Sequence, residues 1–192
     1  MNPVEQMIEV NLSPRLVADY FIARDDERAD PDVTQMKLHK LMYFAQASYL
    51  AETGHRLFDS AIFAFEHGPV ISSIYEEFRP FGRSTIAVKD DDIASLAKDR
   101  CRDLPPNTLR FLDAVWNKYG EFSASELRRM SHDDAPWLNA YDRASRYCPM
   151  DDEAIRDYYR SDAKRRDLVH CETVWFVHEQ VWSELEALDA AF

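Results

Sequence analysis

Glycine is scarce in this chain, four among 192 residues, and no run of glycine and serine occurs. Loops that cradle phosphate need closely spaced glycines, and no P-loop, GxGxxG or GxSxG string is present, nor the HExxH of a helical zinc site. Nucleotide binding through such a loop and the common hydrolase and metalloprotease layouts are thereby excluded. The same scarcity, with no self-similar period, argues against a flexible linker or a repeat array. Cysteine is as sparse. Cys101, Cys148 and Cys171 are odd in number, far apart and free of any CxxC spacing, which suits reduced thiols in a cytosol better than a disulfide framework. No apolar run approaches the roughly 18 residues of a membrane span, and the first nine residues carry acids without a basic export signal. The expectation is a soluble, cytoplasmic protein.

Positive charge is also short. The formal net charge is −12, and the acidic excess lies at the two ends, while residues 34–89 are close to neutral. Duplex DNA is held by neutralising its phosphates, so an acidic chain with no basic arm is repelled on approach, and a direct nucleic-acid partner is not expected. The one basic cluster, Lys164-Arg165-Arg166, reads as compensation for a helix C-terminus.

What the chain does have is apolar and aromatic content, 46% and 12%, enough for one well-buried core, so residues 1–192 are read as a single domain. The stretch Thr34 to Gly54 organises the rest. Leu38, Leu41, Met42, Ala45 and Tyr49 form a helical stripe, and Met36, Tyr43, Phe44 and Leu50 widen it on both sides. A helix apolar most of the way round is central. Thr34 is its expected N-cap and Gly54 its left-handed end.

Around it the fold class is mainly helical, with a small antiparallel β-hairpin. Ser13-Pro14 opens a first helix, and the residues from Asp25 to Asp32 form a solvated connection. Ile62 to Glu66 is β-prone and is expected to pair with Thr85 to Val88, while Gly68-Pro69 makes a turn that starts a helix through Phe78. Further helices are expected over Ile93–Arg100, Thr108–Tyr119, Ser123–Met130 (a capping box with Glu126), Ala135–Ala144 and Asp152–Ser161. A long amphipathic helix is expected over residues 167–191.

His132-Asp133-Asp134 holds the residue types of a metal or acid–base centre, and a metal-dependent enzyme is the alternative of another class. Against it, adjacent residues on a helix diverge and cannot all face one ion, so a polar helix end is the competing reading. His170, Cys171 and His178 lack the i, i+4 spacing of a helical metal pair. Interaction surface is the more conspicuous feature. Glu172, Glu179 and Glu186 recur at sevens beside Trp175 and Trp182, which reads either as a solvated face or as a charged docking edge.

Thr34-x-x-Lys37-Leu38-x-Lys40-Leu41-Met42-Tyr43-Phe44-Ala45-Gln46, then Tyr49-Leu50-Ala51, Gly54, Leu57-Phe58, Gly68-Pro69-Val70, Tyr75 and Phe78 resemble the Panacea domain of SocA-like antitoxins and phage-associated GepA-like proteins. Val115-Trp116, Lys118-Tyr119-Gly120, Ser123 to Leu127, His132 and Pro136-Trp137 follow in the family's order, so the likeness spans about residues 14–160. Phe65 stands where the family usually has tryptophan, and His67 precedes Gly68-Pro69 where a tyrosine is common. The resemblance implies a non-enzymatic antitoxin without cofactor or metal that neutralises a cognate toxin protein by direct binding. SocA-like members imply a second route, delivery of the toxin to the ClpXP protease, and both routes stay open. The residues expected at the partner are Phe65, His67, Gly68, Pro69, Tyr75, Glu76 and Trp137 on one surface, with Glu172, Glu179 and Glu186 on another.

Overall fold

The structure, a computed structural model, describes residues 11–102, 104–145 and 147–169. The expected helix over residues 167–191, with the acidic row Glu172, Glu179 and Glu186, lies almost wholly outside them.

Helix α2 (Gln35–Thr53) is the hub, and every residue from Lys37 to Ala51 is buried. It starts where the Thr34 hydroxyl accepts from the Lys37 N–H and ends where Gly54, at φ 78°, donates its N–H to the Leu50 carbonyl. Five elements pack on it: α1 (Pro14–Asp26), β2 (Gly68–Ile71), α6 (Pro106–Tyr119), α7 (Ala124–His132) and α9 (Asp152–Arg160). A helix enclosed on all sides has no polar face to give water, so its polar residues must find partners inside. Gln46 serves the backbone of Leu57 and Phe58, and Lys37 reaches both Asp32 (2.6 Å) and the Gly120 carbonyl (2.6 Å). Thr34→Ala should lower stability by about 1 kcal/mol, the usual worth of an N-cap, and Thr34→Ser should restore it. Urea unfolding measures both.

The remaining α-helices among the described residues are α3 (Ser72–Phe78), α4 (Ile86–Lys89), α5 (Asp91–Cys101), which lies against α1, and α8 (Ala135–Ala140), which ends four residues short of its expected limit. The capping box of Ser123 and Glu126 is formed at the start of α7.

The hairpin differs from expectation. Strand β1 (Ile62–Phe65) pairs with β2 immediately after it, in the register Ile62↔Ile71 to Phe65↔Gly68. Glu66 and His67 turn the chain at negative φ, and Gly68 completes the reversal at φ 95°, a conformation that favours glycine. Gly68-Pro69 is therefore strand, and the helix waits until Ser72. Pro69 is tolerated because β2 is an edge strand, where a missing N–H costs nothing. The other edge of β1 is covered by the chain at Cys148–Met150, through Ala64 N–H to Cys148 O and Met150 N–H to Ile62 O. Thr85 to Val88, the expected second strand, instead makes one bridge from Thr85 to Thr34 and then winds into α4. Its β-branched residues satisfy a strand locally, but the place beside β1 is already filled.

Candidate partner-binding face

Strand β1 alternates in burial, so Ile62 and Ala64 face the core while Phe63 and Phe65 stand half-exposed on the outer side. The rings of Tyr75 on α3 and Phe65 meet edge to face with centroids 5.3 Å apart, and the Tyr147 ring lies 5.8 Å from that of Phe63 and 6.5 Å from that of Phe65. Tyr147 is 61% exposed. Trp137 on α8 fixes the other side of the hairpin. Its indole N–H donates to the Phe65 carbonyl (3.1 Å), and its ring stacks on His132 at 3.9 Å and Tyr141 at 4.9 Å. Leu138, next in the chain, is 56% exposed. The result is a band of aromatic rings held by one another and by the hairpin.

Phe65, His67, Gly68, Pro69, Tyr75 and Trp137 are thus brought together. Glu76 is not. Its side chain turns to solvent and pairs with Arg79 at 3.4 Å, one turn along α3. Phe63, Tyr141 and Tyr147 complete the band without having been singled out. The alternation that places Phe65 outward also places Phe63 outward, so that residue was legible; Tyr141 and Tyr147 sit in an irregular stretch with no period to follow.

Beside the turn lies a cluster of basic side chains. Lys40, almost fully buried on α2, donates to the Pro69 carbonyl at 2.9 Å. A Cβ on Gly68 would come within 2.8 Å of Lys40 Cε and of Ser131 Oγ, so the turn backbone rests directly on these two side chains. Burial, and then the Arg128 charge, pushes Lys40 down to about 7. His132 at the end of α7 is pushed down to about 4 by burial and by Arg128, Lys40 and His67. His39, accepting the Ile71 N–H at its Nδ1, is held neutral by burial and by Lys40, at about 3. Among the described residues, His39 Nε2, Arg128 Nε and His132 Nε2 are buried without a hydrogen-bond partner.

The triplet His132-Asp133-Asp134 does not share a centre. His132 stacks on Trp137, Asp133 is exposed, and Asp134 turns into the core toward Tyr43 (3.0 Å), Tyr159 (2.7 Å) and Lys164 (2.9 Å). No group of three or more His, Cys, Asp or Glu placed to hold a metal ion exists among the described residues, nor a helix long and apolar enough to cross a membrane. Lys164 is therefore an internal ion-pair partner, while Arg165 and Arg166 remain exposed.

Residues 38–138 match the family model described as Antitoxin SocA-like, Panacea domain. The chain is also similar to Antitoxin SocA of Caulobacter vibrioides (strain NA1000 / CB15N), 30% identical over 116 residues that make up 56% of this chain and 60% of that protein. No solved structure matches it. The matched span runs from α2 to α8 and so contains the hairpin, α7 and Trp137, though Tyr147 lies beyond it.

Proposed function

The chain belongs to the family of SocA-like antitoxins with a Panacea domain, and from that premise we propose that it is a non-enzymatic antitoxin that neutralises a cognate toxin protein by direct contact through the aromatic face of the hairpin. The observation that carries this reading is the band of Phe63, Phe65, Tyr75 and Tyr147, partly exposed and braced by Trp137. Rigid aromatic side chains on a surface lose little entropy on binding and are the usual anchors of protein–protein interfaces. Glu172, Glu179 and Glu186, an acidic row in the sequence, contribute charge complementarity to the toxin or to a protease, where charge tunes approach more than affinity. Cys101 and Cys148 are free thiols, and burial pushes Cys101 up to about 11, which keeps it in the less reactive protonated form.

The test is co-expression with the protein of the adjacent reading frame, scored by growth and by co-purification. The chain should rescue growth and hold that protein in a complex. The pair Phe65→Ala and Tyr147→Ala should weaken the complex by at least about tenfold while the urea midpoint stays near that of the parent, because anchors rather than core are removed. Undiminished rescue by the double variant would move the contact elsewhere. Delivery to ClpXP is read in the same cells: a toxin half-life that shortens only when the protease is present, at less than one antitoxin per toxin, marks the adaptor route.

A further inference from the structure

Lys37 and Lys40 lie one turn apart on α2, and both are buried, yet they are treated differently. Lys37 has a carboxylate, Asp32, at 2.6 Å. Lys40 has only the Pro69 carbonyl, with no carboxylate of the described residues within 4 Å. Arg128 repeats the contrast. The half-buried arginines Arg15, Arg24, Arg28, Arg56 and Arg156 each pair with an acid, whereas half-buried Arg128 pairs with none among the described residues. His132 cannot swing away to find one, because its ring is stacked on Trp137. The chain has 35 acids to 23 bases, so a shortage of carboxylates does not explain the gap. Glu66, next to His67, and Asp133, next to His132, are both exposed, and neither forms an ion pair with Arg128 or His132 among the described residues.

We propose that Arg128, in the basic cluster it forms with His132 and Lys40 beside the Gly68 turn, takes an acidic side chain, Asp or Glu, of the protein that covers the aromatic face. The inference rests on the reading of that face as the docking surface and names the chemistry of its partner. Arg128 is the group that touches the incoming carboxylate, through the planar fork that matches it. Lys40, 1% exposed, acts from behind as a positioning residue that raises the potential at the turn. His67, exposed on the turn, adds a donor at the entrance. A carboxylate arriving here would give Arg128 the acid that the other half-buried arginines have, and because covering the aromatic band removes water, the attraction is weakly screened. A nucleic-acid phosphate fits less well, since a chain of net charge −12 repels a polyanion at every other point of approach.

The probe is an immobilised library of peptides randomised around one fixed glutamate, compared with the same library carrying glutamine there. The purified chain should prefer the glutamate library by about tenfold. Both Arg128→Glu and the milder Arg128→Gln should erase the preference at an unchanged melting midpoint, while Phe65→Ala should weaken retention by both libraries and leave their ratio intact. Equal retention of the two libraries by the parent chain, or a preference that survives Arg128→Gln, overturns the inference. The two readings separate cleanly. A glutamate preference without growth rescue removes the antitoxin reading and leaves the acid-binding role of Arg128, and rescue without the preference does the reverse.

Discussion

Asp134→Ala should lower the unfolding free energy by about 3–5 kcal/mol, the loss typical of breaking a buried ion pair from one side. Asp134 is fully buried, and its carboxylate takes hydroxyl donors from Tyr43 on α2 and Tyr159 on α9 together with the ammonium of Lys164. It stands at the N-cap of α8 but spends no side-chain bond on that helix. One carboxylate therefore ties three helices and the segment after α9. Burial raises the Asp134 pKa, while Lys164 and the two tyrosines pull it down. Asp134 and Asp167 in turn raise Lys164. With an ammonium at 2.9 Å and two hydroxyls donating, the ionised pair is the state that this geometry describes. Alanine would strand Lys164, whose side chain is only 11% exposed, and leave both phenols without their acceptor. Asparagine keeps an acceptor and loses the charge, so Asp134→Asn should fall between. Urea unfolding at neutral pH checks the series, and a loss below about 1 kcal/mol for alanine would mean that Lys164 and the tyrosines find other partners.

That junction also marks where sequence stops being informative. Helix α2 was legible because an apolar stripe widened on both sides can only be an enclosed helix, and Thr34 and Gly54 bracket it. Phe65, Tyr75 and Trp137 were legible as aromatics beside a glycine-proline pair. The pairing of β1 was not, because both Thr85–Val88 and Gly68–Ile71 satisfied a strand partner, and local propensity cannot say which one the turn at Glu66-His67 puts in reach. His132-Asp133-Asp134 shows the opposite failure: three residues adjacent in the chain point to three different places. The basic cluster beside the turn was hidden for a related reason. Lys40 meets Pro69 across 29 positions, and in sequence it is one more helical lysine.

Lys40→Met should stabilise the domain at pH 7 by about 1–3 kcal/mol while weakening its glutamate preference, a combination that a merely structural lysine would not give. Methionine matches the length of the lysine stem and brings no charge into a site that offers only the Pro69 carbonyl and Ser131 Oγ nearby, with Arg128 opposing. Loss of the bond to Pro69 subtracts part of the gain, about 1 kcal/mol for a buried carbonyl left unpaired. The pH dependence fixes the cause. In the unfolded chain Lys40 titrates near 10.5, and in the fold burial brings it to about 7. Between those values the unfolded state binds more protons than the folded state, so stability rises with pH across that window and is lost as pH falls through about 7. His132 and His39, held at about 4 and about 3, add their own loss of stability below the ordinary histidine range and so fall outside the lysine window. Urea midpoints taken at intervals from pH 6.5 to pH 10, buffer conditions alone being varied, should climb for the parent chain more than for Lys40→Met, with the gap between the two closing toward the alkaline end. A variant that is no more stable at pH 7 and keeps the parent's slope would show that Lys40 already has a counter-charge. If the gap closes but the glutamate preference is unmoved, the lysine costs stability without aiding the acid contact, and the acidic side chain is held by Arg128 alone.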